Sequence, residues 1–185
     1  LLKKFDIVIW NNVSGDVLTE TQRNALQQWI EDGGGWLGIH ASGGDFTYDW
    51  RWYVDTLIGT QFVGHTLAPQ FQDAHVLVPD SGTTITEYLP RPWVVKAEEW
   101  YAFDYNPRKK GYEILLAVDE SSYHTSGRRF GLIQDHMEGE HPVAWRHMIG
   151  KGRAVYSSIG HQAATYQVRE YQEFLQEALR WLRRQ

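Results

Sequence analysis

The chain has 185 residues, 42% of them apolar and 22% charged, a balance that fits one globular domain with a sizeable core. It contains no cysteine, which excludes a disulfide scaffold, a thiolate nucleophile and any thiolate metal site. The net charge of −5 argues against a general nucleic-acid binder, and no apolar run reaches the roughly 18 residues of a membrane span.

The opening LLKKFDIVIWNN lacks a basic region followed by a long apolar stretch, so it does not read as a signal peptide. It also lacks an initiator Met, which suggests a fragment or a trimmed chain; a soluble, cytoplasmic protein is the expectation, with any leader lying outside this sequence. FDIVIW (5–10) is a continuous apolar run and predicts a strand buried on both faces of a parallel sheet. LTETQRNALQQWIEDGG predicts a helix: Thr19 and Gln22 form a capping-box pattern, Leu26, Trp29 and Ile30 a buried stripe, and Gly33 and Gly34 the stop. WLGIH (36–40) is the next strand, so the first 40 residues read as a βαβ unit with a right-handed crossover.

Trp50, Tyr53, Val54 and Leu57 recur at helical spacing in YDWRWYVDTLIG. QFVGHT and FQDAHVLVP are expected to be extended, TTITEYLP to be a helical turn closed by Pro90, and WVVKAEEWYAF and YEILLAVDES to be strands. The segment 141–161 predicts a hairpin turning across GKG. The C-terminal helix places Tyr171, Phe174, Leu175, Ala178, Leu179 and Leu182 on one face. Its basic end, RWLRR, opposes the negative pole of the helix dipole. The order of elements is α/β, with a β-rich middle and no internal repeat.

Nine Trp and eight His are the unusual figures of the composition; Trp suits sugar faces as well as cores. Three histidines follow short apolar segments: His40 after WLGI, His65 after FVG and His161 after YSSIG. In open α/β sheets ligands bind beyond the carboxyl ends of the strands. Converging imidazoles serve either acid/base catalysis near neutral pH or a divalent ion such as Zn²⁺. No HExxH-type spacing is present, so a metal site needs ligands from distant segments. In DHMEGEH, the residues Asp135, His136, Glu138, Glu140 and His141 read as a solvated polar loop ahead of a metal loop, with His141 set apart because it opens the hairpin. Glu98 and Glu99 lie beside Trp100 and Tyr101; in an extended segment they point to opposite faces, so at most one faces a site.

These motifs together, LTETQRNALQQWIEDGGGWLGIHASGGDFTYDWRWYVDTLIGTQFVGH, EEWYAF with NPR, and HPVAWRHMIGKGRAVYSSIGHQAATY, resemble the ThuA-like (trehalose-utilisation) family over about residues 5 to 182. The resemblance implies the fold of the class I glutamine amidotransferases: a flavodoxin-like, three-layer α/β sandwich with a mostly parallel sheet, ending in a hairpin and helix. It also implies one or two further βα units ahead of FDIVIW, so the chain is expected to be a single domain (1–185) lacking them. FVGHT departs from the GHP expected there and leaves His65 in place. His40 stands where an amidotransferase keeps its Cys and His161 near the place of the base; without Cys, glutaminase chemistry is excluded.

The family further implies a role in carbohydrate metabolism. The expectation is an enzyme acting on a disaccharide, glycoside or keto-sugar by hydrolysis, elimination or isomerisation. His40, His161 and Glu99 are the expected catalytic groups, and His65, Trp100, Tyr101, His141 and Trp145 the expected substrate contacts. If a divalent metal (Zn²⁺ or similar) is the cofactor, His40, His65 and His161 are its expected ligands. The expected partner is a small carbohydrate, with self-association left open and neither nucleic acid nor membrane expected. The competing expectations are a non-catalytic sugar-binding or accessory domain and, behind it, a partner-docking module.

Overall fold

The computed structural model describes residues 1–79, 83–125, 128–131, 136–137 and 139–183, with 128–131 described through the backbone. The chain forms strand β1 (Ile7–Asn11), helix α1 (Glu20–Glu31), then strands β2 (Gly35–Ile39), β3 (Phe62–Ala68), β4 (Gln72–Leu77), β5 (Trp93–Glu98), β6 (Ala102–Phe103), β7 (Glu113–Val118), β8 (Arg128–Gly131), β9 (His141–Ile149) and β10 (Gly152–Ser157), and finally helix α2 (Arg169–Leu182). Thr19 caps α1 as the capping box requires: its side chain accepts from the Gln22 amide, and Gln22 returns the bond to the Thr19 amide at 2.9 Å. Leu26, Trp29 and Ile30 are buried. On α2 the residues Tyr171, Phe174, Ala178 and Leu182 are buried at the predicted spacing.

Seven strands form one sheet in the order β1-β2-β10-β9-β7-β4-β5, and β6-β3-β8 form a smaller one. The expectation of a mostly parallel, flavodoxin-like sheet is corrected here. Only the β1–β2 and β2–β10 pairs are parallel; β10–β9, β9–β7, β7–β4 and β4–β5 are antiparallel. The βαβ unit therefore stands, and the sheet beyond β10 is built from antiparallel neighbours. The first strand corrects the expectation of burial on both faces: β1 is the sheet edge, its residues are half-buried or exposed, and Ile9 is 50% exposed, whereas β2 is buried on both faces. Trp36 packs into the cluster that contains Trp29 and Ile30 of α1, while Leu37 and Ile39 pack into the cluster that contains Tyr171 and Phe174 of α2. The β9–β10 hairpin turns at Gly150 and Lys151, as predicted.

The segment read as a helix at 48–59 is confined to a short helical stretch whose last turn, Tyr53–Ile58, is wide and π-type. Its aromatic spacing was correct, and Tyr53, Val54, Leu57 and Ile58 are buried. Among the described residues no helix is long and apolar enough to cross a membrane.

Candidate functional site

His40 directly follows β2, at the carboxyl edge of the parallel strands. Its φ is 51°, and a short 3₁₀ turn begins there. A non-glycine residue in the left-handed region is held only by surroundings that over-determine it. Those surroundings are tyrosines. Tyr156 donates to the His40 carbonyl (2.8 Å), Tyr48 to that of Ala41 (3.1 Å), and Tyr53 to that of Ser42. Gly44 closes the turn against the Tyr101 ring, where a Cβ would come within 2.4 Å of it. The ring of His40 is fixed as well. Nδ1 lies 2.7 Å from the Ser158 carbonyl, which only accepts, so Nδ1 carries the proton and Nε2 of the neutral ring carries the lone pair.

The second part comes from the end of β5. Ala97 has a φ of 51°, and the β4–β5 register shifts there, a bulge that re-aims the residues after it. Glu99 then faces His40: its Oε2 lies 3.3 Å from His40 Nε2, while Oε1 accepts from Gln70 Nε2 at 2.7 Å. Burial alone would raise the Glu99 carboxyl, but hydrogen bonds to His40 and Gln70 and the nearby imidazoles of His65 and His40 outweigh it and hold the pKa at about 2. Glu98 turns away from this cluster, as the alternation of a strand requires, and is fully buried. Tyr101 completes the group with its hydroxyl 2.7 Å from His40 Nε2. Burial, then the charges of Tyr156 and Glu99, push its phenol well above the ordinary range, so it stays protonated.

His161 arrives from the loop after β10. Its Nδ1 lies 2.9 Å from His40 Nε2 and 3.4 Å from Glu99 Oε2. Phe71 packs on its other side, with ring centroids 4.8 Å apart. The His161 side chain is 35% exposed, against 2% for His40 and 4% for Glu99, so it is the edge of the cluster that meets solvent. The three ligand-type atoms of His40, Glu99 and His161 all lie within 4.8 Å of one another. Three polar atoms thus converge on His40 Nε2, which has either one lone pair or one proton and cannot satisfy them all.

The remaining predicted residues separate into two groups. His65 and Tyr101 adjoin the cluster: their rings stack 5.7 Å apart, and His65 Nδ1 bonds the Thr66 carbonyl at 2.7 Å and lies 3.4 Å from Glu99 Oε1. His65 is thus outside the close group of ligand atoms, and Glu99 occupies the place expected for it. Trp100, His141 and Trp145 are no sugar-facing surface. Trp100 is 1% exposed with Nε1 on the Gln72 carbonyl, and Trp145 is 0% exposed with Nε1 on the Ile58 carbonyl. His141 meets an acceptor at each nitrogen, Glu120 at 2.7 Å and the Tyr101 carbonyl at 2.8 Å, and so fixes the backbone that carries Tyr101. Of the polar loop, Asp135 and Glu138 lie outside the described residues; His136 is exposed, and Glu140 pairs with Arg108 at 2.6 Å. Sequence reasoning missed Gln70 and Phe71, which carry no motif; their only signal is a place one strand turn beyond His65.

The family model described as trehalose utilisation (ThuA) matches residues 1–182. Among solved structures, a ThuA-like protein from Bacteroides uniformis is 29% identical with a TM-score of 0.80, the match covering 98% of this chain and 70% of that one. A ThuA-like protein from Parabacteroides merdae is 16% identical with a TM-score of 0.73, covering 98% and 71%. A cold-adapted β-galactosidase from a Rahnella species shares the fold over 97% of this chain and 23% of its own, at 15% identity and a TM-score of 0.57. Among curated proteins nothing matches.

Proposed function

The chain belongs to the trehalose-utilisation (ThuA) family, and from that premise we propose that it is an enzyme acting on a sugar or keto-sugar through His40, Glu99, His161 and Tyr101. Membership points to a carbohydrate-related role; the reaction, whether hydrolysis, elimination or isomerisation, is our reading. The observation that carries it is the convergence on His40 Nε2 of Tyr101 Oη (2.7 Å), His161 Nδ1 (2.9 Å) and Glu99 Oε2 (3.3 Å). Charges and protons gathered this closely, at the edge of a parallel pair of strands, are the marks of a reactive site.

The same residues fit a divalent cation. Zinc bonds of about 2.0–2.2 Å at tetrahedral angles put ligand atoms about 3.3–3.6 Å apart; the two separations from Glu99, 3.3 and 3.4 Å, meet this, and the imidazole nitrogens at 2.9 Å would have to part by about 0.4 Å. His40 has the second partner typical of a ligand, its Nδ1–H held by a carbonyl, and Glu99 is ionised at neutral pH. His40, Glu99 and His161 would hold the ion, which when bound would supply Lewis-acid stabilisation of a developing oxyanion. Tyr101 donates a hydrogen bond to substrate oxygen and does not act as a base, because its phenol stays protonated. Without an ion, His161, the exposed member, is the imidazole placed to exchange protons with substrate and solvent; with the ion bound it would serve as a ligand instead. Gln70 and His65 orient the Glu99 carboxylate from its far oxygen.

The test is turnover of a panel of keto-glycosides and disaccharides by purified protein, with zinc added or chelated. Turnover that disappears in a folded His40→Ala protein supports the reading. Saturable sugar binding without turnover would instead favour the non-catalytic module, and a fully active His40→Ala protein would overturn the site.

A further inference from the structure

Glu98 is 0% exposed, and among the described residues no ion pair involves it. A buried carboxylate without a cation persists only where hydrogen bonds replace its hydration. Glu98 has four. Oε1 accepts from the amides of Glu99 (3.0 Å) and His161 (3.1 Å), and Oε2 accepts from the Gly160 amide (2.9 Å) and the Thr165 hydroxyl (3.2 Å). A carboxylate offers about four lone-pair sites, and here each meets a donor.

Those donors belong to two segments only: the strand end that carries Glu99, and the loop 160–165 that carries His161. The carbonyls where that loop begins, of Ile159 and Gly160, are already taken. Tyr171 donates to Ile159 (2.6 Å), and Tyr166 and Asn12 donate to Gly160 (3.0 and 3.1 Å). Its amides are what remain. Gly160 accepts this arrangement at a φ of 130°, where a Cβ would also come within 2.6 Å of Ile39.

We propose that Glu98 is a positioning residue, an anionic latch that joins the His161 loop to the strand end of Glu99 and so sets their 3.4 Å separation. The latch itself stands on hydrogen-bond geometry; its consequence for metal affinity rests on the reading of the site given above. The assignment explains why two adjacent glutamates have separate tasks: one faces the cluster, the other holds the loop opposite it. It also requires a carboxylate. Glutamine has the same shape, but its NH₂ would confront backbone N–H groups or the Thr165 hydroxyl.

The experiment compares wild type with Glu98→Gln by amide hydrogen exchange and by zinc competition against a chelating dye, with the cobalt(II) absorption spectrum as the report on coordination geometry. Exchange at Gly160 and His161 should accelerate at least about tenfold while β2 amides keep their protection. Zinc affinity should fall about 10–100-fold, the range for a lost supporting partner, with an altered cobalt spectrum. Unchanged exchange and unchanged affinity overturn the proposal. If Glu98→Gln does not fold, Thr165→Val removes one donor without touching charge; it must still speed Gly160 exchange, and failure to do so overturns the latch. A wild type that takes up neither zinc nor cobalt overturns the metal reading alone, and amide exchange then decides the latch.

Discussion

His40 and His161 face each other across 2.9 Å; tyrosine hydroxyls cap carbonyls in both of the loops that bring them there, and the His161 loop adds a buried carboxylate on its amides. In the His40 turn, tyrosine hydroxyls from Tyr48, Tyr53 and Tyr156 cap the carbonyls of residues 40–42, and the ring is dry and fixed at Nδ1. In the His161 loop a carboxylate caps the amides, and the ring stands 35% exposed against Phe71. A backbone leaving a strand must satisfy donors and acceptors alike, and each loop uses the side chains that its packed neighbours supply. The difference divides the labour: one imidazole is a rigid reference point, while the other communicates with water.

Removing each ring tests that division most strongly. His40→Ala should abolish turnover and lower zinc affinity by more than about a hundredfold, because it removes the atom on which the cluster converges. His161→Ala should weaken zinc binding less, because water can enter from the open side and replace the lost nitrogen. Titration of both variants with zinc checks this, and equal losses would break the comparison. Tyrosine hydroxyls come next. Tyr156→Phe strands the buried His40 carbonyl and should cost about 1–3 kcal/mol in denaturant unfolding, whereas Tyr171→Phe leaves the Ile159 carbonyl its second donor, the Ser157 hydroxyl at 3.2 Å, and should cost less. Tyr166→Phe should cost less than about 1 kcal/mol, since the Gly160 carbonyl keeps the Asn12 amide as a donor and exposed Asn11 can take water instead.

Acidity sharpens the picture of Glu99. Its ordinary carboxyl value is 4.5 and its folded value about 2. The stability it contributes is therefore full above about pH 4.5 and is lost as pH falls through about 2. Glu99→Gln should flatten the unfolding free energy across that window. His147, which burial lowers to about 4 from 6.5, loses its contribution in a separate window between those values in both proteins. Unfolding curves at stepped pH separate the two. A small effect of opposite sign is expected at the bulge that aims Glu98 and Glu99. Ala97→Gly relieves a φ of 51° and should raise the melting temperature by about 2–4 °C, equivalent to about 1 kcal/mol.

Much of this chain was legible as sequence wherever the signal is local. The Thr19–Gln22 cap, the stripe of Leu26, Trp29 and Ile30, the turn at Gly150 and the buried face of α2 all rest on residues a few positions apart. His40 and His161 were picked out as polar groups following apolar runs, and Glu99 through the family motif it shares with Trp100 and Tyr101; the structure brings the three side chains together. Strand direction was not. Segments such as EILLAV alternate across a sheet in the same way whether their neighbours run parallel or antiparallel, so the parallel expectation held for β1, β2 and β10 and failed for β4, β5 and β7, while the hairpin signal had already made β9 antiparallel to β10.

Facing was equally hidden. Trp100, Trp145 and His141 have the residue types of a sugar pocket and lie buried, their polar atoms spent on backbone carbonyls and, at His141 Nδ1, on the Glu120 carboxylate. Glu98, Gln70 and Phe71 matter through partners that are distant along the chain, Thr165, Glu99 and His161 among them. The sequence by itself determined where the turns, caps and apolar faces fall, because near neighbours decide those. Which polar atoms meet was decided only when the sheet brought the ends of β2, β5 and β10 together, since a hydrogen bond or a ligand set depends on separations of about 3 Å that no spacing along the chain encodes.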